Sequence, residues 1–93
     1  MLTFTAKITI KAGKEDEFVN TMKTVVPKVR EEPGNRAYVM HRAKDNRRLF
    51  MFYEEYTDQG ALDIHRQHVR ELVVNLADLV DGTPQLEFFD KIA

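Results

Sequence analysis

Leu49-Phe50-Met51-Phe52-Tyr53-Glu54-Glu55-Tyr56, followed by Thr57-Asp58 and then Ala61-Leu62-Asp63-Ile64-His65, decides how this chain folds. The first part is dense in aromatic and aliphatic side chains and free of glycine and proline, the composition of a strand. Asp58 is a residue type that caps helix N-termini, so a helix is expected from Gln59. Ala61, Leu62, His65, Val69, Leu72, Leu76 and Leu79 then recur on one side, a helical stripe running to about Val80 with an interruption expected near Gln67. His65 stands in the middle of that stripe, so its imidazole points where the leucines point.

Working outward, Arg36 to Ala43 is a second strand, joined to the strand at Arg48 to Tyr56 by the polar turn Lys44-Asp45-Asn46-Arg47. So short a connection makes the two antiparallel. At the N-terminus Leu2, Phe4, Ala6, Ile8 and Ile10 alternate with Thr and Lys, a half-buried strand with its even residues toward a core. Ala12-Gly13 ends it. From Lys14 to about Glu31, Phe18, Met22, Val25, Val26 and Val29 make a helical stripe, and Glu15, Asp16 and Glu17 suit the positive end of the helix dipole. Pro27 is expected to kink or loosen the last turns, and Pro33-Gly34 to stop the helix. Asp81-Gly82-Thr83-Pro84 breaks the chain again, and Gln85 to Ile92 forms a last strand.

The order is β-α-β-β-α-β, a ferredoxin-like α+β fold with a four-stranded antiparallel sheet in a single domain over residues 1–93. One strand carries a further message. Leu49, Met51 and Tyr53 lie on one face of the third strand and Phe50, Phe52 and Tyr56 on the other, so both faces are apolar. Two helices cover only one face of such a sheet. The other face is expected to be buried against a second copy, making a homodimer through the sheet faces.

Composition narrows the classes. The chain has 93 residues, is 43% hydrophobic and 31% charged, and carries a net charge of −1, which offers no electrostatic case for nucleic acid or an anionic membrane. It contains no cysteine, hence no disulfide, thiolate nucleophile or sulfur metal site. The alternating N-terminus is not that of a signal peptide, and no apolar run approaches the ~20 residues of a membrane span. A cytoplasmic protein is expected.

His65 is the first candidate for chemistry. A histidine facing the sheet needs a hydrogen-bond partner, and two readings are open. It is a general base or donor toward a ligand held between helix and sheet, or a core histidine satisfied by a backbone carbonyl or by Glu54. Glu54 shares a strand face with Phe50, Phe52 and Tyr56, where burial raises a carboxyl pKa and a neighbouring cation lowers it. It either orients His65 or binds a substrate hydroxyl, or it pairs with an arginine such as Arg36 or Arg42. Phe52, Tyr53 and Tyr56 are candidates to line a pocket, and His41 to approach the site or the dimer seam. His65 and His68, three apart on a helix, could share a metal ion, but no third ligand has a recognisable spacing. No metal site is assigned.

Several of these pieces together resemble the antibiotic biosynthesis monooxygenase family, dimeric α+β barrels that include quinol monooxygenases. They are Lys11-Ala12-Gly13-Lys14-Glu15-Asp16-Glu17-Phe18, then Arg30-Glu31-Glu32-Pro33-Gly34 with Tyr38, Phe52-Tyr53-Glu54-Glu55-Tyr56, Ala61-Leu62-Asp63-Ile64-His65, and Gly82-Thr83-Pro84. The resemblance implies a sheet packed on its twin's and a pocket between helices and sheet. It implies oxidation of a small hydrophobic or aromatic quinol or polyphenol by O2, with no metal, flavin or haem cofactor. His65 matches the family's helix histidine and Glu54 its strand glutamate, while Tyr56 stands where tryptophan is usual. The segment His65-Arg66-Gln67-His68-Val69 is two residues shorter than the family's usual continuation. The asparagine, tryptophan and later histidine of the haem-degrading branch are missing at Ala6, His65 and Asn75 or Val73, which argues against haem degradation. The alternative within the same fold is an isomerase or a non-catalytic dimeric domain that binds a small molecule.

Overall fold

The alternation at the N-terminus forms strand β1 (Leu2–Thr9), and the stripe after Gly13 forms helix α1 (Glu15–Arg30), in a computed structural model that describes residues 1–93. Strands β2 (Asn35–Arg42) and β3 (Leu49–Tyr56) follow, then helix α2 (Gln59–Leu72), the short helix α3 (Leu76–Leu79) and strand β4 (Gln85–Phe89). The four strands make one antiparallel sheet in the order β2-β3-β1-β4, the ferredoxin-like arrangement expected from the sequence.

Register explains which side chains meet. Phe4 pairs with Glu54 and Ala6 with Phe52 between β1 and β3, while Tyr38 pairs with Glu54 and Met40 with Phe52 between β2 and β3. Side chains alternate across a strand, so these residues share the face that the helices cover. Phe18, Met22, Val25 and Val29 of α1 and Leu62 of α2 are buried against that face. Phe18 meets the Phe50 ring edge-on at 4.9 Å between centroids, and Tyr38 packs on Phe52 at 5.4 Å. The opposite face has no covering layer: Val39 and Phe89 are exposed there, and Leu49, Met51 and Tyr53 are half-buried.

Three local features refine these expectations. Helix α2 is uninterrupted at Gln67, whose side chain bonds Glu71 one turn on. The break falls instead at Val73–Asn75, where two adjacent β-branched valines disfavour helix and Val73 turns into the core at 4% exposure. Helix α1 runs through Pro27 to Arg30, and beyond it Glu31 and Glu32 bond back to Lys28 and Val29 in a tightened last turn. Strand β4 stops at Phe89 rather than Ile92, because its last pairing, with Thr3, lies one residue from the start of β1.

Asp58 caps α2 as expected, accepting from the Ala61 amide at 2.8 Å. The turn after α1 lies against this helix start. The Gly34 carbonyl accepts from the Thr57 amide at 2.9 Å, and a Cβ on Gly34 would overlap the Ala61 methyl and come within 3.1 Å of Thr57 Oγ1. Gly34 is therefore required for close approach. Gly34→Ala should destabilise the fold by ~1–3 kcal/mol through overpacking, measurable as a lower urea midpoint at unchanged slope. An unchanged midpoint would mean that the turn does not hold α2 in place.

Candidate functional site

The close turn at Gly34 has a chemical consequence two residues earlier. Glu32 is delivered beneath α2, where the residue is only 8% exposed. Both of its oxygens lie 3.2 Å from His65 Nδ1, and Oε2 also lies 2.7 Å from His68 Nδ1. In the pairing with His65 the carboxylate accepts, so Nδ1 carries the hydrogen and Nε2 keeps a lone pair. Nε2 is 3.4 Å from Glu54 Oε1, longer than a strong hydrogen bond. That same oxygen accepts from the Tyr56 hydroxyl at 2.8 Å. The imidazole is further held by the rings of Tyr38 and Tyr56, at 5.3 and 5.0 Å between centroids.

Glu54 and His65 of this cluster line a small chamber of about 120 Å³ between the helices and the sheet. Phe18, Met22, Tyr38 and Phe52 make apolar wall, with Glu54 and His65 as its ionisable groups. Val73, in the α2–α3 break, and Leu76, just after it, also line it. A wider groove of about 860 Å³ crosses the outer sheet face near Thr3, Thr5, Tyr53 and Phe89, but it contains no histidine. The buried ionisable groups Glu54 and His65 line the smaller space.

Electrostatics follow from burial. Loss of water pushes the Glu54 carboxyl up to about 7; the Glu32 charge adds to this, while the Tyr56 hydrogen bond and Arg66 oppose it. Burial lowers the His65 pKa, against the pull of the Glu32 carboxylate, and His68 and Arg66 lower it further. Burial also raises the phenols of Tyr38 and Tyr56, reinforced by Glu54, so neither loses its proton easily.

These shifts have opposite effects on stability. Glu54 ionises less readily when folded, so its contribution is fully present below its unfolded value of 4.5 and is lost as pH rises to about 7. That difference is worth on the order of 3 kcal/mol. His65, with its folded pKa lowered, acts the other way: its contribution is lost as pH falls below 6.5. Glu54→Gln should therefore remove most of the stability loss between pH 4.5 and 7 seen in denaturant titrations. An unaltered pH profile would show that Glu54 is not held in its neutral form.

His65, Glu54, Tyr56 and Phe52 are thus brought together as the sequence suggested. Tyr53 and His41 are not. Both point from odd-numbered positions to the outer face, where Tyr53 donates to Glu55 at 2.6 Å and the exposed His41 ring lies 3.3 Å from the Met51 carbonyl. Glu54 pairs with neither Arg36 nor Arg42; the Arg42 guanidinium sits 4.9 Å over the Phe50 ring. Sequence reasoning gave no site role to Glu32 or Tyr38, and weighed His68 only as a metal ligand. Glu32 had a signal, since Met22, Val25, Val29 and Glu32 continue one stripe at spacings of three and four. No group of three or more histidine and carboxylate side chains is placed to hold a metal ion; Glu32 instead faces both imidazoles as a hydrogen-bond partner.

Comparison with known proteins agrees with this fold. The sequence profile of the antibiotic biosynthesis monooxygenase family matches residues 1–74, which include every residue of the cluster. A crystal structure of an antibiotic biosynthesis monooxygenase superposes with a TM-score of 0.89 at 28% identity over 100% of both chains. A conserved protein from Methanosarcina mazei Go1 gives 0.85 at 26% identity, covering 98% of this chain and 92% of that one. A Pseudomonas aeruginosa protein shares the fold at 0.88 and 23% identity, over 99% and 94% of the two chains. An uncharacterized protein of Synechocystis sp. is 30% identical over 88 residues, or 92% of this chain; the chain spans 59% of that relative's length.

Proposed function

The chain belongs to the antibiotic biosynthesis monooxygenase family, and from that premise we propose that it oxidises a phenolic or quinol-like ring with O2 without a metal, flavin or haem cofactor. The observation that carries this reading is the setting of His65. Its Nδ1 is anchored on buried Glu32, and its Nε2 faces Glu54 Oε1 at 3.4 Å on the lining of the chamber. A carboxylate behind one ring nitrogen fixes the tautomer and stabilises the imidazolium that forms when the other nitrogen takes a proton.

On this reading a ring hydroxyl bound in the chamber gives its proton to His65 Nε2. The phenolate is electron-rich enough to pass one electron to O2, and the radical pair joins at a ring carbon. For a phenol with a free para C–H, loss of water leaves a para-quinone. One oxygen atom enters the product, the other leaves as water, and the ring loses the four electrons that O2 gains. Burial lowers the pKa of His65, so the imidazole is neutral and ready to accept. Glu54, whose carboxyl is pushed up to about 7, in its protonated form supplies a hydrogen bond to the ring oxygen without placing a full negative charge beside it.

Volume limits the ligand. A chamber of about 120 Å³ compares with the ~150 Å³ engineered cavity that takes benzene, and falls below the ~300 Å³ of ordinary small-molecule pockets. One aromatic ring fits. A fused ring system requires the wall at Val73 and Leu76 to open. The functional unit we propose is a homodimer that buries the uncovered sheet face carrying Val39, Met51, Tyr53 and Phe89.

Oxygen consumption over a panel of single-ring and two-ring phenols and quinols tests this function, with heat-denatured protein as the control because quinols autoxidise. Enzyme-dependent uptake and a quinone product are expected from at least one single-ring member. Uptake equal to the denatured control across the panel would leave binding without catalysis as the function of the chamber.

A further inference from the structure

A ring has to reach His65 before it can react, and the way in is narrow. His65 has 8% of its side chain exposed and Glu54 7%, so part of the chamber wall must move aside for a ligand. Most of that wall is fixed. Phe52 and Glu54 sit in β3, bonded to β1 on one side and β2 on the other, while Phe18 and Met22 sit inside α1. Moving any of these breaks several backbone hydrogen bonds at once. Val73 and Leu76 are the exception. Val73 follows the last residue of α2, and Leu76 opens the four-residue α3. Between them the amides of Val74 and Asn75 make no backbone hydrogen bond, and the Leu76 amide reaches the Val73 carbonyl only at 3.4 Å. The Val74 side chain is 88% exposed, which leaves the outside of the segment bare. Both ends are anchored: the Val73 amide bonds Val69 at 2.8 Å, and beyond Leu76 the Leu79 carbonyl accepts from the Lys11 amide at 2.8 Å. One side-chain bond ties the middle down. Asn75 Nδ2 donates to Glu17 Oε2 at 3.2 Å, in the first turn of α1.

We propose that Val73–Leu76 is the gate through which a ring enters the chamber, and that the hydrogen bond from Asn75 to Glu17 is the latch that holds it closed. The proposal rests on the chamber being the ligand site, as the proposed function requires. Release of the latch lets Asn75 swing away from α1, and Val73 and Leu76 leave the chamber lining with it. The anchors at Val69 and Leu79 stay in place, so neither α2 nor the sheet has to change. Once the ring is inside, the segment returns and shields His65 and the electron-rich ring from bulk water. The latch acts in the free and the bound protein alike. It therefore alters the rates of entry and exit by one factor and leaves affinity unchanged.

The chain contains no cysteine, so Glu17→Cys combined with Asn75→Cys introduces two thiols and no others. Para-fluorophenol is the probe, and fluorine NMR exchange between its free and bound signals gives both rates. Joining the thiols with a short reducible cross-linker should slow entry and exit about tenfold or more at an unchanged dissociation constant. Reducing the linker should return both rates to or above those of the unmodified protein, which also shows that the variant folds. Glu17→Ala, which removes only the acceptor, should speed both about two- to tenfold, the worth of one exposed hydrogen bond. Glu17→Gln keeps an accepting oxygen and should stay near the unmodified rates. Unchanged rates in the cross-linked protein would overturn the gate and put the entrance elsewhere. A changed affinity at an unchanged entry rate would do the same, making the segment a packing element. If the unmodified protein gave no bound signal, the chamber would fall as a ligand site and the gate with it. Gated binding without oxygen uptake would uphold the gate and overturn only the oxidation.

Discussion

His65→Asn is expected to lower turnover by about 10²–10⁴-fold while leaving ligand affinity nearly unchanged. Asparagine is polar and of similar reach, so it keeps a hydrogen bond to Glu32 and spares the fold. It has no basic nitrogen, so the substrate proton stays where it is and the electron-rich anion does not form. The fall should appear in kcat rather than KM, because the lost interaction exists only as the proton moves. Since His65 is flanked by Glu32 and Glu54, both buried, the variant also leaves two carboxyl groups without the imidazole between them. Some loss of stability at high pH is expected with it. Turnover of His65→Asn within a few-fold of the unmodified protein would make the imidazole a structural element and move the base elsewhere.

Met51→Glu is expected to convert a dimer into monomers. Met51 lies on the uncovered face, paired in register with Lys7 on β1 and His41 on β2. A glutamate there has a cation beside it in the isolated subunit, so the monomer should fold normally. Burying that charge against a second sheet is costly, on the order of 3–5 kcal/mol for an unpaired ion. Allowing for the neighbouring lysine, a weakening of about 10²-fold in dimer affinity is expected. Sedimentation at micromolar concentration should show a dimer for the unmodified protein and a monomer for the variant, with the same circular dichroism. A monomer before any substitution would mean that the outer face is covered by something other than a second copy.

Much of this architecture could be read before any coordinates. The alternation in Leu2–Ile10 and the dense apolar run Leu49–Tyr56 have simple periods, and period is what determines which face a side chain takes. The placement of His65 among aromatic neighbours followed from the stripe alone. The Val73–Asn75 break was harder, because a weakened helix and a continuous one carry the same leucine spacing, and burial of Val73 decided between them. His41 and Tyr53 lie on the outer face, which for His41 is the seam alternative, and the reason is related. Strand parity puts them opposite Tyr38 and Glu54, but aromatic and histidine side chains invite assignment to a pocket regardless of parity. The partner of His65 was the least visible element. Glu32 is 33 residues away in sequence and meets the imidazole only because Gly34 permits the turn to approach α2.

Removal of a proton from a bound phenol by His65 is a step that can be watched without oxygen. A single-ring phenol bound under nitrogen at a pH well below its solution pKa should show the ultraviolet difference band of the phenolate with the unmodified protein. The same ligand bound to His65→Asn should remain neutral. A neutral phenol in the unmodified protein, or an equal phenolate band in the variant, would contradict the assignment of His65 as the base.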